Sequence, residues 1–183
     1  MTSSDATLLP PGAKESAAAR VRRSVDGAPP SGAGVRPVRL GIACAEFNGG
    51  ITYRLLTGAL EAVDAADGGP ASVTVAWAPG AFELPLVASA LVRSGTVDAV
   101  VCLGAVIRGD TGHYDFVAGQ CAAGLQRVQL DTGVPVVFGV LTTETVEQAL
   151  ARSEGDATNK GREAVTTAVG MVRLLTAIAS GEG

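Results

Sequence analysis

Charge is scarce in this chain, aromatic rings are scarcer, and histidine occurs once. Of its 183 residues 17% are charged and 4% aromatic, and the formal net charge is −4. Such a balance provides no basic footprint for nucleic acid. One histidine and three cysteines without a CxxC pair leave too few soft ligands for a transition-metal site. The odd cysteine count, with Cys44 and Cys102 in apolar runs and Cys121 alone, predicts free thiols in a reducing compartment. No apolar stretch reads as long and uninterrupted enough to cross a bilayer, so no membrane partner is expected. No signal-peptide apolar core follows Met1, and a cytoplasmic location is the expectation.

What is abundant is small and aliphatic. The apolar fraction is 47%. So apolar a chain, with so little charge, either holds a large core or buries surface against copies of itself. Residues 1–36 are rich in Ala, Gly, Ser and Pro, with a basic cluster at Arg20, Arg22 and Arg23, and read as a mobile tail. Residues 37–180 form the folded unit. Strands are predicted over Val38–Cys44, Val73–Trp77, Val97–Ile107 and Val134–Leu141. Helices are predicted over Thr52–Ala66, Phe82–Val92 and Tyr114–Leu130, from Val146, and over Asn159–Ile178. Thr142 and Thr143 are read as closing the fourth strand and capping the helix from Val146. Strands that alternate with helices imply parallel pairing through right-handed crossovers. The expected fold is a three-layer α/β/α sandwich with a four-stranded parallel sheet.

Ligand sites in such folds form at the carboxyl ends of strands, beside helix N-termini. Four loops should gather there. The first carries Glu46-Phe47-Asn48-Gly49-Gly50, in which Phe47 is either a core plug or a face for a flat ring. The second carries Pro79-Gly80-Ala81-Phe82-Glu83, where small residues admit a ligand to the backbone and Glu83 either caps a helix or accepts from a ligand. The third runs Gly109-Asp110-Thr111-Gly112-His113 and pairs a helix start with the Thr111 hydroxyl, an arrangement suited to phosphate, with Asp110 turned outward. The fourth is Leu141-Thr142-Thr143. His113, the chain's one imidazole, is the side chain whose ordinary pKa lies near neutrality. Arg152 and Lys160 flank a later helix boundary. Arg152 either pairs with a helix dipole or meets an anion; Lys160, a cation at a helix start, is less easily explained by the dipole.

Five ordered segments carry a resemblance. Phe47-Asn48-x-x-Ile51-Thr52, Pro79 to Pro85, Leu103 to Val117, Gly133 to Thr142 and Glu147-Gln148-Ala149 are similar to the lumazine synthase family. The likeness runs from about Val38 to Leu175. It implies a flavodoxin-like fold and a transferase of riboflavin biosynthesis. The family condenses 5-amino-6-(D-ribitylamino)uracil with 3,4-dihydroxy-2-butanone 4-phosphate, without metal or organic cofactor. The resemblance assigns ring stacking to Phe47, ribityl contacts to Ala81, Phe82 and Glu83, and the pyrimidine pocket to Ala105, Val106 and Ile107. It gives Asp110 and Thr111 to the substrate phosphate and proton transfer to His113. Phe138 and Arg152 would enter from a neighbouring subunit, with Lys160 close by. It also implies pentamers, which in some members of the family build an icosahedral shell, and riboflavin synthase as a partner. Gly112, Glu154 and Asp156 depart from the family pattern. Two other readings compete: a non-catalytic flavin- or lumazine-binding carrier, and a flavodoxin-like signalling or electron-transfer domain. Retention of Phe47, His113 and Arg152 argues against the carrier, and the lack of a receiver domain's acidic cluster argues against the second.

Overall fold

In the computed structural model, which describes residues 6–17, 38–65, 72–155 and 158–181, two strands are apolar from end to end. These are β1 (Arg39–Ala45) and β3 (Ala99–Ile107), and nearly every residue in them is buried. Runs of that kind belong to parallel strands covered on both faces. β2 (Ser72–Ala78) and β4 (Val136–Thr143) expose part of their length and form the edges. The sheet is parallel throughout, in the order β2-β1-β3-β4, with Leu40 opposite Val73 on one side and Ala99 on the other.

Helices cover both faces. α1 (Gly49–Ala65), α4 (Val146–Ala151) and α5 (Lys160–Ser180) pack on one, with Leu55, Leu56, Ala149 and Val165 against Leu40, Ile42, Val101 and Leu103. α2 (Leu84–Arg93) and α3 (His113–Thr132) pack on the other, with Leu84, Ala88 and Leu125 against Ala43, Val100 and Val140. Alternate residues of β1 and β3 therefore feed opposite cores, as the two-residue period of a strand requires. The expected three-layer sandwich is the observed one.

The α1–α5 contact is close because Gly58 and Gly161 leave room for it. A methyl group on Gly161 would lie 1.9 Å from the Leu55 carbonyl oxygen, and one on Gly58 would meet the Asn159 side chain. Asn159 is buried and caps α5. Its Oδ1 accepts from the backbone N–H groups of Gly161 and Arg162, and its Nδ2 donates to the carbonyls of Arg54 and Ser153. One amide thus ties the start of α5 to α1 and to the turn after α4.

Several expected boundaries shift. Val97 and Asp98 precede β3, because Asp98 turns to receive Arg39 through both backbone N–H and guanidinium. Thr142 and Thr143 stay in β4, paired with Val106 and Ile107, and Thr145 caps α4 instead, accepting from the Gln148 N–H. Two β-branched residues beside a strand prolong the ladder. α5 is long and apolar enough, by length and composition alone, to cross a membrane, which the sequence reading had not allowed. Gly161, Ala164, Val165, Ala168 and Val169 spend part of that apolar surface in the core.

The expected mobile tail is corrected over part of its length. Residues 6–17 lie against the body, with Ala13 and Ala17 buried. Gly49 and Gly50 admit Leu9 and the Ala6 carbonyl to distances a Cβ would forbid. Lys14 pairs with Glu46 at 2.5 Å and lies 5.8 Å from the centre of the Trp77 ring. Small residues gave no periodic signal, yet small residues make this close approach. Arg20, Arg22 and Arg23 lie outside the described residues.

Two outcomes are expected. Asn159→Ala should lower the unfolding free energy by about 2–4 kcal/mol in urea titration, because a cap is lost and buried carbonyls lose their donor. All three cysteines are free and buried. Burial pushes the Cys121 thiol up to about 11, and Cys44 and Cys102 higher still. The unfolded chain ionises these thiols near pH ~8.5 while the folded chain keeps them protonated, so their contribution is complete below that pH and is lost as pH rises through the folded values. Thermal melting should therefore fall above pH ~8.5, and alkylation at pH ~8 should label none of the thiols until the protein is unfolded.

Candidate active site

The strand order reverses between β1 and β3, since β2 lies to one side of β1 and β3 to the other. Loops leaving such neighbours diverge and open a crevice at their carboxyl ends. A cleft of about 640 Å³ lies there. Its floor is the end of β3, at Ala105, Val106 and Ile107. One wall is the β1 loop with Phe47, another the turn Pro79 to Glu83, and a third the start of α3 with Thr111 and His113.

The β1 loop is held from both sides. Glu46 and Phe47 donate their backbone N–H groups to the carbonyls of Ala78 and Pro79, at 2.8 and 3.0 Å. Asn48 takes a left-handed backbone, φ 56°, the conformation Asn tolerates better than most residues. Its Nδ2 donates to the Ala105 carbonyl at 3.0 Å, spanning the crevice where β1 and β3 part. Phe47 is projected outward by this turn and is 72% exposed.

The second wall is a short 3₁₀ turn, Ala81–Glu83, with Glu83 at the start of α2. Glu83 makes no side-chain cap, so the helix-capping alternative is not realised. A Cβ on Gly80 would stand 3.2 Å from Glu83 Oε2, so glycine there makes space for the carboxylate above the turn. In the third wall the His113 N–H makes a long contact, 3.4 Å, to the Thr111 hydroxyl. Gly109, Asp110, Thr111, Gly112 and His113 are all exposed. Asp110 is not among the residues that line the cleft.

The remaining candidates meet elsewhere. Phe138, Arg152 and Lys160 line a separate trough of about 410 Å³ beside the edge strand β4, and share it with Thr142, Glu163 and Thr167. Arg152 donates to the Gln148 carbonyl at 2.9 Å, which realises its helix-end role in this chain. Lys160 is paired with Glu163. Glu154 is exposed, and Asp156 lies outside the described residues. No residue lines both cavities. The first holds the imidazole and no Lys or Arg; the second holds two cations and no imidazole.

Sequence reasoning passed over Tyr114, Phe116 and Val117 as cleft residues. The signal was present in helical spacing, since Phe116 and Val117 follow His113 by three and four positions and share its face. The chain has four phenylalanines. All are exposed: Phe47, Phe82 and Phe116 at the cleft, and Phe138 at 41% in the trough. A protein so poor in aromatic rings that keeps every one of these out of its core is equipped to hold flat, partly apolar ligands.

Residues 37–176 match the family model for 6,7-dimethyl-8-ribityllumazine synthase. The 6,7-dimethyl-8-ribityllumazine synthase of Thermus thermophilus is 60% identical over 141 residues, which span 77% of this chain and 90% of that protein. The protein of the same name from Edwardsiella ictaluri is 52% identical over 141 residues, covering 76% and 90%. That from Protochlamydia amoebophila is 50% identical over 140 residues, covering 76% and 81%. The match begins at the base of β1, takes in both cavities, and establishes that this chain belongs to the 6,7-dimethyl-8-ribityllumazine synthase family.

Proposed function

We propose that the cleft with His113 and the trough with Arg152 are complementary halves of one active centre, joined when a second copy of the chain packs beside the first. As a member of its family the chain is a transferase of riboflavin biosynthesis, condensing 5-amino-6-(D-ribitylamino)uracil with 3,4-dihydroxy-2-butanone 4-phosphate and releasing phosphate and water. The observation that carries the two-half reading is the separation of charge. A phosphorylated substrate needs a cation, the proton transfers are assigned to an imidazole, and neither cavity has both.

In the proposed centre Phe47 stacks on the uracil ring, over a floor of Ala105, Val106 and Ile107. Ala81, Phe82 and Glu83 hold the ribityl chain. Asp110 contributes backbone, Thr111 backbone and hydroxyl, to the phosphate of the four-carbon substrate. Phe138 and Arg152 come from the adjoining copy, with Lys160 beside them, and the guanidinium grips phosphate in two-pronged fashion. Imine formation, phosphate loss and ring closure each move protons, and His113 relays them; a positioned imidazole is worth roughly 10²–10⁴-fold in such steps. Much of the remaining acceleration comes from holding two substrates together.

Exposed apolar side chains support assembly. Leu130 on α3 and Leu174, Leu175 and Ile178 on α5 stand in solvent in the single chain. The proposed assembly is a ring of five, with shells of such rings in the cytoplasm and riboflavin synthase as a partner.

His113→Ala should lower kcat by roughly 10²-fold with melting unchanged, followed by the absorbance of the lumazine product. Arg152→Ala should raise KM for the phosphorylated substrate and leave that for the uracil nearly unchanged. With the phosphorylated substrate held well below the KM of Arg152→Ala, reassembling an equimolar mixture of the two impaired variants should give activity above either alone, because some centres then hold an intact imidazole and an intact guanidinium. Mixtures no more active than their components would overturn the shared centre.

A further inference from the structure

Within its own chain, the loop that ends in His113 has almost nothing to rest on. Its residues from Gly109 to His113 are exposed, and a methyl group on Gly109 or Gly112 would meet no atom within 4 Å. Glycine at two of these positions adds conformational freedom. A proton-transfer group on an unsupported loop would wander by more than catalysis tolerates. Something at the loop's ends must hold it.

Arg108, the residue before the loop, does so. Its backbone N–H donates to the Thr143 carbonyl at 2.9 Å, continuing the β3–β4 ladder. Its guanidinium reaches across the loop to the first turn of α3, where Nη2 meets Asp115 Oδ1 at 3.1 Å and Nη1 approaches Oδ2 at 3.4 Å. Nε meets Glu144 Oε2 at 2.8 Å. The same group lies 4.0 Å from the centre of the ring of Tyr114, the residue that follows His113. Glu144 is itself held, its N–H donating to Gln148 Oε1 at 3.0 Å. One planar fork thus joins the end of β3, the start of α3 and the loop entering α4.

A single exposed ion pair would stabilise little. Here two carboxylates and a ring converge on one guanidinium, and they bracket the residue expected to move protons. Arg108 is not among the residues that line the cleft.

We propose that Arg108 is a positioning residue, clamping the two ends of the Gly109–His113 loop so that the imidazole is held over the cleft. The clamp depends on the planar fork and the ring face, which lysine does not reproduce. The proposal rests on the role given to His113 above.

The assembled enzyme tests it. Arg108→Gln should reduce kcat roughly 10- to 100-fold with KM for the uracil substrate unchanged, and Arg108→Lys should recover little. Introduced into His113→Ala, Arg108→Gln should cause no further loss, because the group it positions is gone. Asp115→Asn gives a second variant that leaves the arginine in place, and should lower kcat in the same direction. Because the chain has one histidine, the proton on its Cε1 gives a single assignable magnetic resonance signal, and it should broaden or shift in both variants. Equal proportional losses with and without His113, or an unmoved imidazole signal, would overturn the clamp. If instead His113→Ala alone kept the full rate while the signal still responded to Arg108→Gln, the clamp would stand and the role of His113 would fall.

Discussion

Parallel pairing of β1 with both β2 and β3 is the constraint on which the rest of the molecule depends. It delivers three strand ends to one edge, and the reversal of direction at β1 parts the loops that follow. The Asn48 amide then bridges the gap to Ala105, fixing its width at the floor. Without that geometry Phe47, Glu83 and His113, far apart in sequence, would share no surface. Each arrives because the preceding strand, paired in parallel with its neighbour, ends at that edge, while its own loop lies beyond the ladder.

The core meets this demand with small aliphatic side chains. Ala43, Ala45, Ala99 and Ala105 line the central strands, and Gly58 and Gly161 let α5 press on α1. Tight contacts between small residues replace bulky rings in the interior, so the phenylalanines remain for the surface. The same economy leaves much apolar surface on α3 and α5 uncovered. Burying it on neighbouring copies is consistent with a charge content that is low for a monomer, and with an imidazole and a guanidinium housed in separate cavities of one chain.

Most of the element order was legible because the helices and strands repeat their apolar residues with clean periods, as in Leu55, Leu56, Ala59, Leu60 and Val63 of α1. Boundaries were less so. Thr142 and Thr143 suit both a strand and a cap, and only their pairing with β3 settles which. Asp98 sits next to an apolar run and looks like part of it, until Arg39 draws it aside. Phe116 escaped notice for a similar reason: beside His113 it resembles an ordinary core residue of an amphipathic helix, and its exposure is a property of how α3 lies on the sheet.

The sequence alone determined the alternation of strands and helices and the loops that carry Phe47, Glu83 and His113, because local period and residue type suffice for each. Tertiary structure decided the rest. It put residues 6–17 against Gly49 and Gly50, sent Arg152 and Lys160 to a different cavity from His113, and closed Arg108 onto Asp115 and Glu144. Those outcomes turn on distances between segments remote in the chain, and no local pattern of side chains encodes such a distance until the sheet has set it.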